Sequence, residues 1–113
     1  MKSTTEFKKF EELDFRAGTV IKAEIFPEAR KPAYKLLVDF GPEIGPKKSS
    51  VQITQNYSVE EMVGMQVMGL VNLAPRQIGP FVSEVLVVGV ADDKGNVVLV
   101  RPDRAVPNGG HLF

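Results

Sequence analysis

The side chains able to do covalent or acid–base chemistry are few and scattered. The chain has no cysteine and a single histidine, His111, close to the C-terminal end. Without cysteine there is no disulfide scaffold, no thiolate nucleophile and no cysteine-based zinc site. A histidine so near a chain end is read as solvent-facing. Asp92-Asp93 falls in a turn sequence, Glu60-Glu61 at a helix start and Ser83-Glu84 at the entry to a strand. Those are places where such residues serve the backbone. None has a histidine or lysine partner at a recognisable spacing. No catalytic residue, metal ligand or cofactor is therefore assigned, and the chain is read as a binding protein rather than an enzyme. Gly41 to Ser49 resembles a phosphate-binding loop only superficially. Three residues, not four, separate Gly41 from Gly45, and Pro46 stands where that motif needs lysine. Proline also lacks the backbone N–H that such a cradle uses. The segment reads as a turn between strands.

Basic side chains are more informative. Residues 14–56 carry seven basic and five acidic groups, although the whole chain balances 14 Lys+Arg against 14 Asp+Glu. Arg30, Lys31, Lys47 and Lys48 flank one strand-like segment, and Arg76 lies in a later loop. Beside Tyr34, Phe40 or Phe81 such groups can hold phosphates while the rings stack bases. A solvated polar rim is the alternative, and the residues alone leave both open. Phe81 follows Gly79-Pro80 in an expected loop. It suits an apolar peptide groove, a dimer contact or plain docking of the loop.

These residues need elements to hold them. Ser3 and Glu6 have capping-box spacing, and Phe7, Phe10 and Leu13 recur every third residue, which predicts a short helix. From Phe15 to Ile25 apolar residues alternate with polar ones, Val20 being the exception, and Gly18 suggests a bulge. Further strands are expected at 34–40, 49–54, 65–73, 85–91 and 97–100. Ser58 and Glu61 mark a second short helix between the third and fourth strands. Segment 74–81 reads as a loop, and residues 101–113 as an ordered loop at best. Short strands interrupted once by a helix describe an all-β, five-stranded OB-fold Greek-key barrel with a short N-terminal helix and terminal extensions. An SH3-like barrel is the runner-up.

Size agrees with one domain over residues 1–113. For 113 residues the area scaling gives a folded surface of roughly 6,000 Å², with about two-thirds of the unfolded surface buried. No apolar run is long enough to insert into a membrane, and the start lacks the apolar stretch of a signal peptide. A cytoplasmic location is expected.

The residues also carry a family resemblance. Leu13-Asp14-Phe15-Arg16-Ala17-Gly18-Thr19-Val20 with Pro27-Glu28-Ala29-Arg30 resembles the opening of the tRNA-binding domain family. The likeness continues through Asn72-Leu73-Ala74-Pro75-Arg76 and Val106-Pro107-Asn108-Gly109. Within that family, Ser49 to Thr54 and Phe81 to Val87 are most similar to its bacterial export-related chaperones. The resemblance implies a homodimer that binds unfolded or precursor polypeptides without ATP and assists the export machinery. It gives Phe7, Phe10, Leu112 and Phe113 a place in a dimer contact. It puts a peptide pocket around Phe40, Gln52, Asn72, Phe81 and Ser83. The alternative it implies is a tRNA-binding module, in which Arg30, Lys31, Lys47, Lys48 and Arg76 meet the nucleic acid.

Overall fold

A computed structural model describes Met1–Phe113. Its elements are α1 (Phe7–Glu11), β1 (Phe15–Ile25), β2 (Tyr34–Asp39), β3 (Pro46–Val51), α2 (Val59–Met62), β4 (Gln66–Leu70), β5 (Arg76–Ile78), β6 (Phe81–Ser83), β7 (Leu86–Val87), β8 (Gly89–Ala91) and β9 (Val97–Leu99). Five of them, in the order β3-β2-β1-β4-β7, form a nearly closed antiparallel barrel of the OB type. β1 organises it. Its first half pairs with β4 and its second half with β2, so one strand serves two sides of the barrel.

The strand changes partner through a bulge between Val20 and Lys22. One extra residue reverses the side-chain alternation. Val20, just before the bulge, shares the inward phase of Gly18 and points into the core; past the bulge Ala23 packs against that core, and Ile21 and Ile25 are exposed. The apolar exception in the sequence is the true core residue, and the kink lies beyond Gly18. Gly18 has another task. A Cβ there would lie 2.7 Å from the Phe40 ring, and one on Gly69 would lie 2.8 Å from it. Two bare backbones on adjacent strands thus make the slot that Phe40 fills, at 0% exposure. Val38, Val67, Leu36 and Met62 pack around it in the same core. Met62 is delivered by α2, whose capping box forms as expected: Ser58 Oγ accepts from the Glu61 N–H, and Glu61 Oε1 accepts from the Ser58 N–H.

Several expected boundaries move. α1 begins at Phe7 with no side-chain cap on its N-cap residue, Glu6, so the Ser3–Glu6 box does not form. Thr4 and Thr5 would sit in its first turn, where β-branched residues lose rotamer freedom. β3 runs over Pro46–Val51, earlier than 49–54, because Lys47 and Lys48 pair with Val38 and Leu37 of β2. The strand expected at 85–91 is split. The Val88 N–H donates to the Met68 carbonyl of the barrel, and its carbonyl accepts from the Val100 N–H. Beyond that point β8 leaves the barrel to pair with β9. Segment 74–81 is not a loop but part of the β5–β6 hairpin, closed by Gly79-Pro80. Gly79 has φ 55°, which with proline after it matches a type II′ turn.

The C-terminal segment is also held. The Gly109 and Leu112 N–H groups donate to the Ala17 and Phe15 carbonyls, and the Ala17 N–H donates to Gly110. It lies along the part of β1 that β2 leaves uncovered. No helix is long and apolar enough to cross a membrane.

Candidate binding groove

A groove of about 810 Å³ opens beside the end of β3. One wall is Ser50, Val51, Gln52 and Ile53; the facing wall is Leu86 and Val87 of β7. The β5–β6 hairpin closes one side with Arg76, Gln77, Ile78 and Gly79, and the β1–β2 loop closes the other with Glu28, Arg30 and Lys31. Four separate stretches of chain meet here. Val51, Ile53 and Val87 are core residues that form the floor, while Leu86 is exposed.

The groove exists because the barrel is not fully closed. β3 and β7 end the strand order and share no ladder. The turn into β7 bridges them instead. The Glu84 and Val85 N–H groups both donate to the Lys48 carbonyl, at 2.8 and 3.3 Å. Glu84 Oε1 accepts from the Lys48 N–H and Ser83 Oγ from the Ser50 N–H, each at 3.0 Å. Beyond Ser50 the walls part.

The expected site residues divide into groups. Arg30, Lys31, Arg76 and Gln52 come together around the groove. Phe81 and Lys48 line a smaller recess of about 170 Å³ on the outer face, with Lys22, Glu24 and Lys35. There Phe81 meets Phe26 edge-on at 5.4 Å, and Lys48 lies over the Phe81 ring at 5.5 Å. Phe81 thus anchors the hairpin, in line with the plain docking that was one of its three sequence readings. The Lys22 ammonium, 2.9 Å from Glu24, holds that carboxyl below its ordinary pKa, so the outer cations are partly neutralised. Lys47, toward the start of β3, lines neither of them.

Three residues placed in the peptide pocket lie elsewhere or act otherwise. Phe40 is buried in the core and presents no surface. Asn72 clasps the turn between α1 and β1, accepting from the Asp14 N–H and donating to the Glu12 carbonyl. Ser83 sits at the seam as the latch already described. Ile78 and Leu86 were missed. The only available signal was Gly79-Pro80 between two short runs, which marks a hairpin.

Arg30, Lys31 and Arg76 make no ion pair, and neither does Glu28. The groove therefore carries uncompensated positive charge over an apolar floor. It has no aromatic residue. It holds no nucleophile–base pair, and no group of three His, Asp or Glu is placed to hold a metal ion.

Residues 15–111 match a family described as "Putative tRNA binding domain". Among curated relatives, the methionine–tRNA ligase of Flavobacterium johnsoniae is 35% identical over 108 residues, 96% of this chain and 15% of that protein. That of Bacteroides fragilis is 35% identical over 112 residues, 99% of this chain and 16% of that protein. The chain thus spans about a sixth of the length of these relatives. Among solved structures, the chaperone CsaA of Bacillus anthracis superposes with a TM-score of 0.92 and 45% identity, covering 98% of this chain and all, 100%, of that one. The CsaA chaperone protein of Picrophilus torridus gives 0.91 and 41%, covering 97% and 100%.

Proposed function

The chain belongs to the tRNA-binding domain family, and from that premise we propose that it is a non-catalytic domain whose groove holds stretches of unfolded polypeptide. The carrying observation is the groove's lining: an apolar floor under free cations, without an aromatic ring. Base stacking on aromatic side chains supplies much of the affinity for single-stranded nucleic acid. Here the rings that would stack are engaged, Phe26 and Phe81 with each other and Phe40 with the core. Apolar surface and backbone edges suit an extended peptide better. The similarity to CsaA chaperones over nearly all of both chains supports this reading, which needs no ATP. Assistance to export follows if the clients are precursors.

The reading includes a homodimer. The surface is 7580 Å², about a quarter above the roughly 6,000 Å² of a compact monomer this size. Phe7 is 71% exposed, and Leu112 and Phe113 are exposed at the other chain end. Removing residues 1–13 is expected to shift sedimentation toward the monomer; an unchanged dimer would count against the assembly.

A second reading, tRNA binding, draws on the same three free cations and on the methionine–tRNA ligase relatives. Titrating a denatured precursor and tRNA side by side at two salt concentrations separates the two. Peptide affinity that survives added salt is the expected result. Tight tRNA binding that falls steeply with salt, with no polypeptide binding, would overturn the chaperone reading.

A further inference from the structure

The seam geometry and the rim charges together narrow what the groove can take. In an antiparallel pair, alternate residues turn their main-chain groups away from the partner strand. On β3, Lys48 and Ser50 direct theirs away from β2, and both N–H groups are captured across the seam. Gln52 is next in that alternation and lies just past the strand, where the walls have parted. An extended chain laid in the gap therefore continues the seam as an added strand. Its side chains alternate between two faces. One face meets the floor of Val51, Ile53 and Val87; the other meets the rim of Arg30, Lys31 and Arg76.

We infer that the groove selects extended segments in which acidic residues alternate with apolar ones. This rests on the polypeptide reading above and specifies its client chemistry. Charge complementarity carries it: the rim holds three unpaired cations against one unpaired carboxylate, Glu28. A basic segment would bring like charge to that rim and leave its own charges uncompensated.

The test titrates the full chain with short labelled peptides. One alternates valine with glutamate, a second has glutamine for glutamate, a third has lysine, and a fourth is the glutamate peptide N-methylated along one edge. A single-stranded oligoribonucleotide is the comparison. The glutamate peptide is expected to bind about tenfold tighter than the glutamine one, with the lysine peptide weaker still. N-methylation should weaken it by about tenfold through lost backbone hydrogen bonds. In the double variant Arg30→Ala, Arg76→Ala the glutamate and glutamine peptides should bind alike. Should that variant misfold by circular dichroism, the peptide series on the native chain still decides. Equal binding of the glutamate and glutamine peptides would overturn acid selectivity and leave the polypeptide reading standing. An N-methylated peptide that binds undiminished would overturn strand addition. Binding of the oligoribonucleotide with neither peptide nor denatured precursor bound would overturn the polypeptide reading itself.

Discussion

Arg16 and Arg76 are the same residue type put to opposite uses. Arg16, on β1, has a side chain only 8% exposed. Its Nε and Nη2 donate to both Asp14 oxygens, at 2.7 and 3.3 Å, and its Nη1 donates to the Gly109 carbonyl and to Glu43. The hydrogen bonds to Asp14, working against burial, raise its already high pKa. Arg76 and Arg30, at the groove, pair with nothing. The Arg16 charge is used up inside the protein, where it fastens the C-terminal segment to β1. The groove charges are compensated by nothing within the chain. Whether a charge is compensated tells more about function than how many charges a segment carries.

The largest expected effect breaks the satisfied side of that contrast. Arg16→Met should lower unfolding free energy in urea by roughly 2 kcal/mol, because Asp14 and the Gly109 carbonyl lose their donor. Solvent reaches Glu43 and part of Asp14, which keeps the loss below that of a fully buried pair. Peptide affinity of the folded variant should be unchanged. An Arg16→Met chain as stable as the parent would show that the cluster contributes nothing.

Next in size is the latch between the two regions. Ser83→Ala leaves the Ser50 N–H without its partner and should cost about 1 kcal/mol by the same measurement. It should also speed hydrogen exchange at Ser50, which amide-resolved exchange would read. Smaller still is the groove side. Arg30→Ala and Arg76→Ala should each change stability by less than about 0.5 kcal/mol, since neither makes a contact that folding needs. Their effect belongs in binding, measured by titration with an acidic peptide. A large stability loss on either would erase the contrast with Arg16.

The smallest effect concerns pH at a site remote from both. The Asn56 amide first, then the Asn96 N–H, hold the Asp92 carboxyl below its ordinary value of 3.8. A depressed carboxylate stabilises fully above the unfolded value and loses that contribution as pH falls through the lowered folded value. The turn from Asp92 to Asn96 should therefore loosen only in acid. Protection of the Lys94 and Asn96 amides, relative to their intrinsic exchange rates, should fall there first, and Asp92→Asn should flatten that dependence. Protection factors unchanged in acid in the parent chain would argue against the role of the carboxylate.

Local elements were mostly legible. The Ser58–Glu61 cap, the long first strand and the barrel class all follow from spacing, because caps and alternation depend on neighbours in the chain. The phase of β1 was not, since a bulge depends on where two partner strands compete for one strand. The β5–β6 hairpin was hidden because its strands are three residues each, too short for alternation to register.

The site was legible in part and for a definite reason. Residue type marked Arg30, Lys31 and Arg76 as surface groups able to bind, the family resemblance added Gln52, and the structure gathers the four around one groove. Residue type also suggested Phe40, and the resemblance Asn72, whose roles depend on partners far along the chain. Phe40 becomes core because Gly18 and Gly69 stand bare on either side of it. Asn72 becomes a clasp because Glu12 and Asp14 arrive beside it. The amino-acid sequence by itself determined the barrel, the absence of thiol chemistry and which side chains are charged. Only the tertiary structure decided which charges are compensated and where the seam stays open, because both depend on distances between segments that the chain order does not contain.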